Sequence, residues 1–128
     1  MPLSTAVLLI AHGSRRHEAN DDLARLAEMI RSRGLYPIVE IGYLEIAEPT
    51  IATAAAACVK SGSTQVKMLP YFLSAGAHVV DDLERHRKEL SVQYPQIVFE
   101  LCPPLGLHPL MIDIVLDRLA SGAGERGT

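Results

Sequence analysis

Two histidines stand where apolar segments of this sequence give way to small and polar residues. Residues 7–11 form an apolar run that stops at His12, and a glycine, a serine and two arginines follow it. His78 comes shortly after a second apolar segment, at the end of a short run of small residues. Imidazole is the commonest protein ligand for transition metals and titrates near neutral pH. The pair therefore has the chemistry to hold a metal or to transfer protons.

Each histidine also has a purely structural interpretation. A lone histidine after a strand is more often a hydrogen-bonded loop residue than a ligand, so the functional interpretation depends on His12 and His78 meeting at one crevice. His17 and His86 occupy polar positions and are expected to face solvent. His108 directly precedes a proline and is either an inert residue at a helix start or a contact at the rim of the crevice.

Charged and polar groups near the two histidines favour an anionic ligand. Arg15 and Arg16 are either a solvated pair or contacts for carboxylates. The amides before His78 lie at a predicted helix N-terminus, which attracts anions. Glu45 follows the second predicted strand and is a candidate proton acceptor or ligand, whereas Glu48 either caps the next helix or joins the same rim.

The elements that must position these residues alternate along the chain. Strands are predicted at residues 5–11, 37–43, 65–73 and 97–101, each followed by a helical pattern. Pro49 is expected to open the second helix and Pro109 the last one. One face of the last helix carries apolar residues at helical spacing. That face comprises Met111, Ile114, Val115 and Leu119.

This alternation predicts an α/β fold, a flavodoxin-like doubly wound parallel sheet of four strands with helices on both faces. Strands one and three are the most apolar, and strands two and four each carry an acidic residue, Glu40 and Glu100. We therefore predict the strand order 2-1-3-4. Its switch point lies between strands one and three, so topology alone brings His12 and His78 to the two sides of one crevice.

Composition limits the class of protein. The length of 128 residues suits one domain, predicted over residues 1–120, with a flexible tail over 121–128. The longest apolar run falls short of a membrane span of roughly 20 residues, and no basic signal region opens the sequence, so we expect a soluble cytoplasmic protein. Cys58 and Cys102 are expected to be reduced and buried. A net charge of -3 without a basic stripe predicts no nucleic-acid or membrane partner.

Four motifs resemble the class II tetrapyrrole chelatases, and most closely the short-form sirohydrochlorin cobaltochelatase family. The likeness extends from about Ala6 to Leu119. The motifs are Leu-Ile-Ala-His-Gly-Ser-Arg, Glu-Ala-Asn-Asp-Asp-Leu, Tyr-Leu-Glu-Ile-Ala-Glu-Pro-Thr-Ile and Leu-Pro-Tyr-Phe-Leu-Ser-Ala-Gly-Ala-His-Val-Val-Asp-Asp-Leu. His-Gly-Ser alone is a weak signal, but its combination with Leu-Ser-Ala-Gly-Ala-His at this separation is a strong one.

The resemblance implies roles for individual residues. His12 is implied to be a proton acceptor and metal contact, His78 a metal ligand, and Glu45 a catalytic and substrate-contacting residue. The segment that leads into His78 is implied to contact the substrate, whose carboxylates we expect at the rim with the two arginines. The implied substrate-binding residues are Ser14, Arg15, Arg16, Glu45, Leu73, Ser74, Ala75, Gly76, Ala77 and His78.

The resulting hypothesis is a homodimeric, cytoplasmic lyase that inserts Co²⁺ into sirohydrochlorin on the way to cobalamin. The divalent metal is a substrate, and no organic cofactor is expected. The same scaffold also suits Fe²⁺ for siroheme or Ni²⁺ for a nickel tetrapyrrole, because these metals share ligand preferences. Two other classes stay open: a metal or tetrapyrrole carrier, and a phosphohydrolase with His12 as nucleophile and the arginines on phosphate.

Overall fold

A computed structural model describes residues 4–74 and 76–122. Four strands alternate with four helices along the chain. The strands are β1 (Thr5–Ala11), β2 (Ile38–Tyr43), β3 (Gln65–Pro70) and β4 (Val98–Leu101). The helices are α1 (His17–Ser32), α2 (Ile51–Lys60), α3 (Ala77–Gln93) and α4 (Pro109–Ser121).

The strands form one parallel sheet in the order β2-β1-β3-β4, which confirms the predicted α/β fold and strand order. The central strand β1 is buried over Ala6 to Ile10, as expected of a strand that is covered on both faces. Leu9 is paired with Ile41 of β2 on one side and with Leu69 of β3 on the other. The carboxyl ends of β1 and β3 therefore lie next to each other.

Two apolar cores hold the sheet between helices. The larger core joins α2 and α3 to one face, where Ile51 and Leu83 pack with Leu8 and Met68. The smaller core joins α1 to the other face through Leu23, Ala27 and other buried residues. Helices thus cover both faces, although α1 packs mainly on β1 and β2, with Leu69 of β3 at the edge of its core.

The last helix is packed differently from the other three. Helix α4 begins at Pro109 as expected, yet it has no buried residue, and Ile114, Val115 and Leu119 are all half exposed or more. Only Met111 of the predicted face is partly covered. The periodicity of α4 correctly indicated an amphipathic helix, but periodicity does not identify the surface against which a helix packs.

Several predicted boundaries shift by a few residues. Helix α2 begins at Ile51 rather than Pro49, because the Thr50 side chain accepts a hydrogen bond from the Thr53 amide and caps the helix. Strand β3 ends at Pro70, three residues earlier than predicted. The predicted tail starts within the structure, since Ser121 is the last residue of α4. Residues 123–128 of that tail lie outside the described residues.

Within residues 4–74 and 76–122, no helix is both long and apolar enough to cross a membrane.

Candidate functional site

His12 lies just beyond the carboxyl end of β1, with its imidazole exposed. The ring makes an edge-to-face contact with Phe72, at a centroid distance of 5.1 Å and an interplanar angle of 74°. Phe72 follows the carboxyl end of β3. This aromatic contact restricts the orientation of the imidazole while one side of the ring stays open to solvent.

The main chain after β2 continues to pair with the main chain after β1. The Leu44 amide donates to the Ala11 carbonyl at 2.9 Å, and the Glu45 amide donates to the His12 carbonyl at 3.0 Å. Gly13 makes this approach possible. A Cβ at that position would lie 1.9 Å from the Glu45 carbonyl oxygen, and the Gly13 φ is +98°. The glycine after His12 is therefore required to place Glu45 beside it.

The backbone turns sharply immediately after Glu45. The Ala47 amide donates to the Glu45 carbonyl at 2.8 Å, and Ile46 between them has a φ of +73°. A β-branched residue rarely adopts a positive φ, and the conformation costs about 1–3 kcal/mol. Strained residues of this kind cluster at functional sites, and this one directly follows a candidate catalytic carboxylate.

His78 lies in the first turn of α3, which begins at Ala77 after an extended Gly76 at the N-cap position. The sequence predicted that helix only from residue 79 onward, so His78 is a helical residue rather than a loop residue. The preceding Leu73 and Ser74 are exposed. Ala75, also predicted to contact the substrate, lies outside the described residues. The N-terminal turn of α3 places the His78 imidazole at the rim of the sheet.

His12, Glu45 and His78 line a single cleft of about 560 Å³. Its volume falls in the range of ligand sites, roughly 300–1,000 Å³. The cleft opens at the carboxyl ends of β1 and β3, where the predicted switch point lies. Three candidates that are far apart in sequence are thus brought together. The other lining residues are Leu44, Val79, Asp81, Asp82 and Arg85.

Asp81, Asp82 and Arg85 were not identified as site residues from the sequence. They follow His78 by three, four and seven positions, the spacing of one helical face, and this signal could have identified them. The Arg85 guanidinium contacts the Asp82 carboxylate and lies 3.8 Å from Glu89. The cleft therefore carries both acidic groups and a cation.

The two arginines lie apart from the histidine pair. Arg15 and Ser14 line a neighbouring hollow of about 520 Å³, which they share with Glu48 and other residues. Arg16 occupies the N-cap position of α1 and is exposed. The side chain of Asn20 holds the intervening loop, because it accepts from the Ser14 amide at 3.1 Å and donates to the Ser14 carbonyl at 2.8 Å.

The remaining histidines have other environments. His17 is exposed, as predicted, but His86 is half-buried, which corrects the expectation that it faces solvent. Burial, with the nearby Arg85, lowers the pKa of His86 because both disfavour the imidazolium form. His108 caps α4, since its Nδ1 accepts a hydrogen bond from the Leu110 amide at 3.1 Å. His108 thus has the structural role that the sequence left open.

Neither cysteine lines the cleft. Cys58 is buried in the larger core, and burial raises the pKa of its thiol to about 12. Cys102 follows β4 and is only partly buried, with a pKa that burial also raises. Both thiols are free.

The described part of the chain holds no group of three or more histidine, cysteine, aspartate or glutamate side chains arranged to bind a metal ion. His12 and His78 nevertheless line one cleft, and imidazole nitrogen is a ligand that first-row transition metals favour.

A doubly wound parallel sheet with two histidines in a cleft at its switch point places the protein among the α/β proteins that bind ligands at this edge of the sheet. The CbiX family model matches residues 6–122. This chain belongs to the CbiX family.

Individual relatives include chelatases of two lengths. Sirohydrochlorin ferrochelatase from Arabidopsis thaliana chloroplasts is 35% identical over 113 residues, covering 88% of this chain and 50% of the relative. Sirohydrochlorin cobaltochelatase from Sulfolobus acidocaldarius is 30% identical over 122 residues, covering 95% of each protein. This chain thus spans about half the length of some relatives and nearly the full length of others.

A solved structure shares the fold over almost the whole chain. The sirohydrochlorin chelatase SirB from Bacillus subtilis subspecies spizizenii, in complex with cobalt, superimposes with a TM-score of 0.86 at 31% identity. The match covers 94% of this chain and 52% of SirB. The chain therefore corresponds to about one half of that longer chelatase.

Proposed function

We propose that this protein is a sirohydrochlorin chelatase that inserts Co²⁺ as its first-choice metal and uses no organic cofactor. The observation that carries the proposal is that His12 and His78 line one open cleft with Glu45 between the ends of parallel strands. Membership of the CbiX family supports the reaction class. The cobaltochelatase of nearly equal length supports the metal.

The residue types suit the proton balance of the reaction. Insertion of a divalent metal into the free macrocycle forms bonds to the ring nitrogens and releases two pyrrole protons, so a base must receive them. In the proposal, His78 holds the incoming metal and His12 contacts it. Once the metal has passed to the macrocycle, the His12 nitrogen is free to accept a proton, and Glu45 provides a second acceptor.

Substrate carboxylates require local positive charge, because the net charge of -3 does not attract an anion. The rim contacts proposed here are Arg15, Arg16 and the segment from Leu73 to Ala77 at the N-terminus of α3. The cytoplasmic location and the homodimer belong to the same proposal. The free state of Cys58 and Cys102 supports a reducing compartment.

Iron is the second candidate metal, because the Arabidopsis relative is named a ferrochelatase. Fe²⁺, Co²⁺ and Ni²⁺ follow one another in the general order of affinity, so two imidazoles discriminate weakly between them. The insertion rate must be compared for all three metals under anaerobic conditions.

The test is metal-dependent conversion of sirohydrochlorin by the purified protein, followed by absorbance. We expect insertion with Co²⁺, and we expect His12→Ala and His78→Ala each to abolish most of it with an unchanged circular dichroism spectrum. His86→Gln, which removes a histidine outside the cleft, should retain activity at neutral pH. Tight binding without insertion would indicate a carrier, and release of phosphate from esters a phosphohydrolase.

A further inference from the structure

One guanidinium lies in the cleft that contains the histidine pair. Arg85 lines this cleft with His12 and His78, and among the described lining residues it is the only one with a permanent positive charge. Three carboxylates line the cleft as well, those of Glu45, Asp81 and Asp82. The cleft therefore favours a divalent cation, whereas an anion meets a side chain of permanent opposite charge only at Arg85.

Arg85 lies on the same face of α3 as His78, two turns further along the helix. The two residues are seven positions apart, which corresponds to a rise of about 10 Å along the axis. On another face of α3, Leu83 and Leu90 are buried in the larger core and hold the helix against the sheet. A well-anchored helix thus keeps a cation at a set distance from a candidate metal ligand.

The ion pairs of Arg85 leave hydrogen-bonding capacity unused. Its guanidinium donates to the Asp82 carboxylate, and its other terminal nitrogen is 3.8 Å from a Glu89 oxygen, too far for a hydrogen bond. Asp82 is its one hydrogen-bond partner among the described residues, although a guanidinium carries five N–H donors in a planar fork. The remaining donors are available to a further carboxylate, which a guanidinium binds in bidentate geometry.

Fold stability gives little reason for the pair of Arg85 and Asp82. The Arg85 side chain is 58% exposed and the Asp82 side chain 38% exposed. Ion pairs between exposed side chains one helical turn apart contribute little to stability. The guanidinium can therefore share its donors with a ligand at small cost to the fold.

We propose that the Arg85 guanidinium binds a peripheral carboxylate of the tetrapyrrole substrate and thereby orients the macrocycle in the cleft. This inference rests on the proposed function and adds a substrate-binding residue to it. The metal-binding nitrogens of a tetrapyrrole lie at its centre and the carboxylates at its edge, so the separation of Arg85 from His78 suits contact with both parts. Arg15 lines the neighbouring hollow and would meet a different part of the edge.

The first test measures the binding of sirohydrochlorin to the full chain without metal, followed by the fluorescence of the macrocycle. We expect Arg85→Gln to raise the Kd roughly ten- to a hundredfold, because it removes a charge-assisted hydrogen bond. Arg85→Lys keeps the charge but loses the bidentate fork, so its Kd should be intermediate. In the insertion assay, KM should rise with little change in kcat, because the contact is remote from the ring nitrogens.

Arg87→Gln is the matched control. Arg87 lies on the same helix and pairs with Glu84 three residues earlier, as Arg85 pairs with Asp82. Arg87 is not among the described residues that line the cleft, so this variant should bind sirohydrochlorin with the wild-type Kd. A Kd that is unchanged in Arg85→Gln, or raised equally in Arg87→Gln, overturns the proposal.

A charge-balanced double variant separates a direct contact from the net charge of the cleft. Asp82→Asn combined with Arg85→Gln removes one charge of each sign, so the net charge of the cleft is the same as in the wild type. We expect the Kd for sirohydrochlorin to stay well above the wild-type value, because the substrate carboxylate still lacks its partner. Recovery of the wild-type Kd would mean that Arg85 only neutralises Asp82, and it would overturn the proposal.

A second ligand tests the carboxylate itself. In this probe the carboxylates of the same macrocycle are converted to neutral amides. Arg85→Gln should change the Kd of the amide far less than that of sirohydrochlorin, because the amide offers the guanidinium no anion. An equal change for both ligands would show that Arg85 acts on the shape of the cleft, against the proposal.

Binding and insertion can fail separately. If binding depends on Arg85 but no metal is inserted, the proposed activity fails and the inference stands. If insertion proceeds and the Kd is independent of Arg85, the inference fails and the activity stands. A protein that binds no sirohydrochlorin contradicts both.

Discussion

The amide of Glu45 donates a hydrogen bond to the carbonyl of His12 at 3.0 Å, which extends the pairing of the first two strands into the candidate site. The bond fixes the backbone of two residues that line the cleft and are 33 positions apart in the chain. Their side chains are exposed, so it is the backbone that sets their relative position. A change that breaks this contact should affect activity more than stability alone explains.

Gly13→Ala is expected to break the hydrogen bond between the Glu45 amide and the His12 carbonyl. The new Cβ would lie 1.9 Å from the Glu45 carbonyl oxygen, and the φ of +98° disfavours any side chain. We expect a loss of about 2–4 kcal/mol in unfolding free energy, combining backbone strain with displacement of the loop. Metal insertion should be largely lost at temperatures where the variant is still folded. Urea unfolding and the absorbance assay measure the two effects.

Gly34→Ala provides the matched control. Gly34 also has a positive φ, +82°, but a Cβ there meets no atom within 4 Å. The Gly34→Ala variant should lose about 1 kcal/mol of unfolding free energy and keep full activity. If Gly13→Ala and Gly34→Ala lose the same unfolding free energy and the same activity, the close approach of Glu45 to Gly13 contributes nothing beyond backbone strain.

Ile46→Asn is expected to stabilise the protein. Ile46 has a φ of +73° and a side chain that is 61% exposed, so the substitution relieves strain and loses little packing. Asparagine tolerates this conformation, and we expect a gain of about 1 kcal/mol. The control Leu35→Asn removes another exposed apolar side chain without a positive φ and should change stability by less than about 0.5 kcal/mol. A destabilised Ile46→Asn would show that Ile46 contributes packing that outweighs the strain.

Glu45→Gln tests the carboxylate as a proton acceptor. Glutamine keeps the size and the backbone bond to His12 but cannot take up a proton, so we expect kcat to fall by about 10²–10⁴ with a small change in KM. Glu48→Gln lies in the same loop but outside the cleft and should retain wild-type kcat. If kcat is unchanged in Glu45→Gln and KM rises instead, Glu45 binds the substrate and does not take its proton.

The strand order of the sheet could be predicted because the apolar or acidic character of each strand indicates how deeply it is buried. The uninterrupted apolar run of β1 and the acidic residues of β2 and β4 were sufficient to place the strands in order. The meeting of His12 and His78 followed from that order without any contact information. Both predictions depend on which strands are buried, and the hydrophobicity of their residues indicates that.

Other features depend on contacts that residue type does not show. The exposure of α4 cannot be predicted from its sequence, because an apolar face looks the same whether it is covered within the chain or stays exposed. The position of Arg15 in a separate hollow depends on how Asn20 holds the loop, and that pairing joins side-chain and main-chain atoms six positions apart. The charged residues of α3 in the cleft were missed although their helical spacing from His78 was readable.

His86 should make the stability of the fold sensitive to mild acid. Burial lowers its pKa in the folded state below the ordinary value of 6.5, so between the two values the unfolded chain binds more protons than the native one. The free energy of unfolding therefore falls as pH decreases through the region just below 6.5, and it carries no such penalty above it. His86→Gln removes the titrating group, so its Tm should decline less than that of the wild type between pH 7.5 and pH 5.5. Parallel declines in the two proteins would assign the acid sensitivity to other groups.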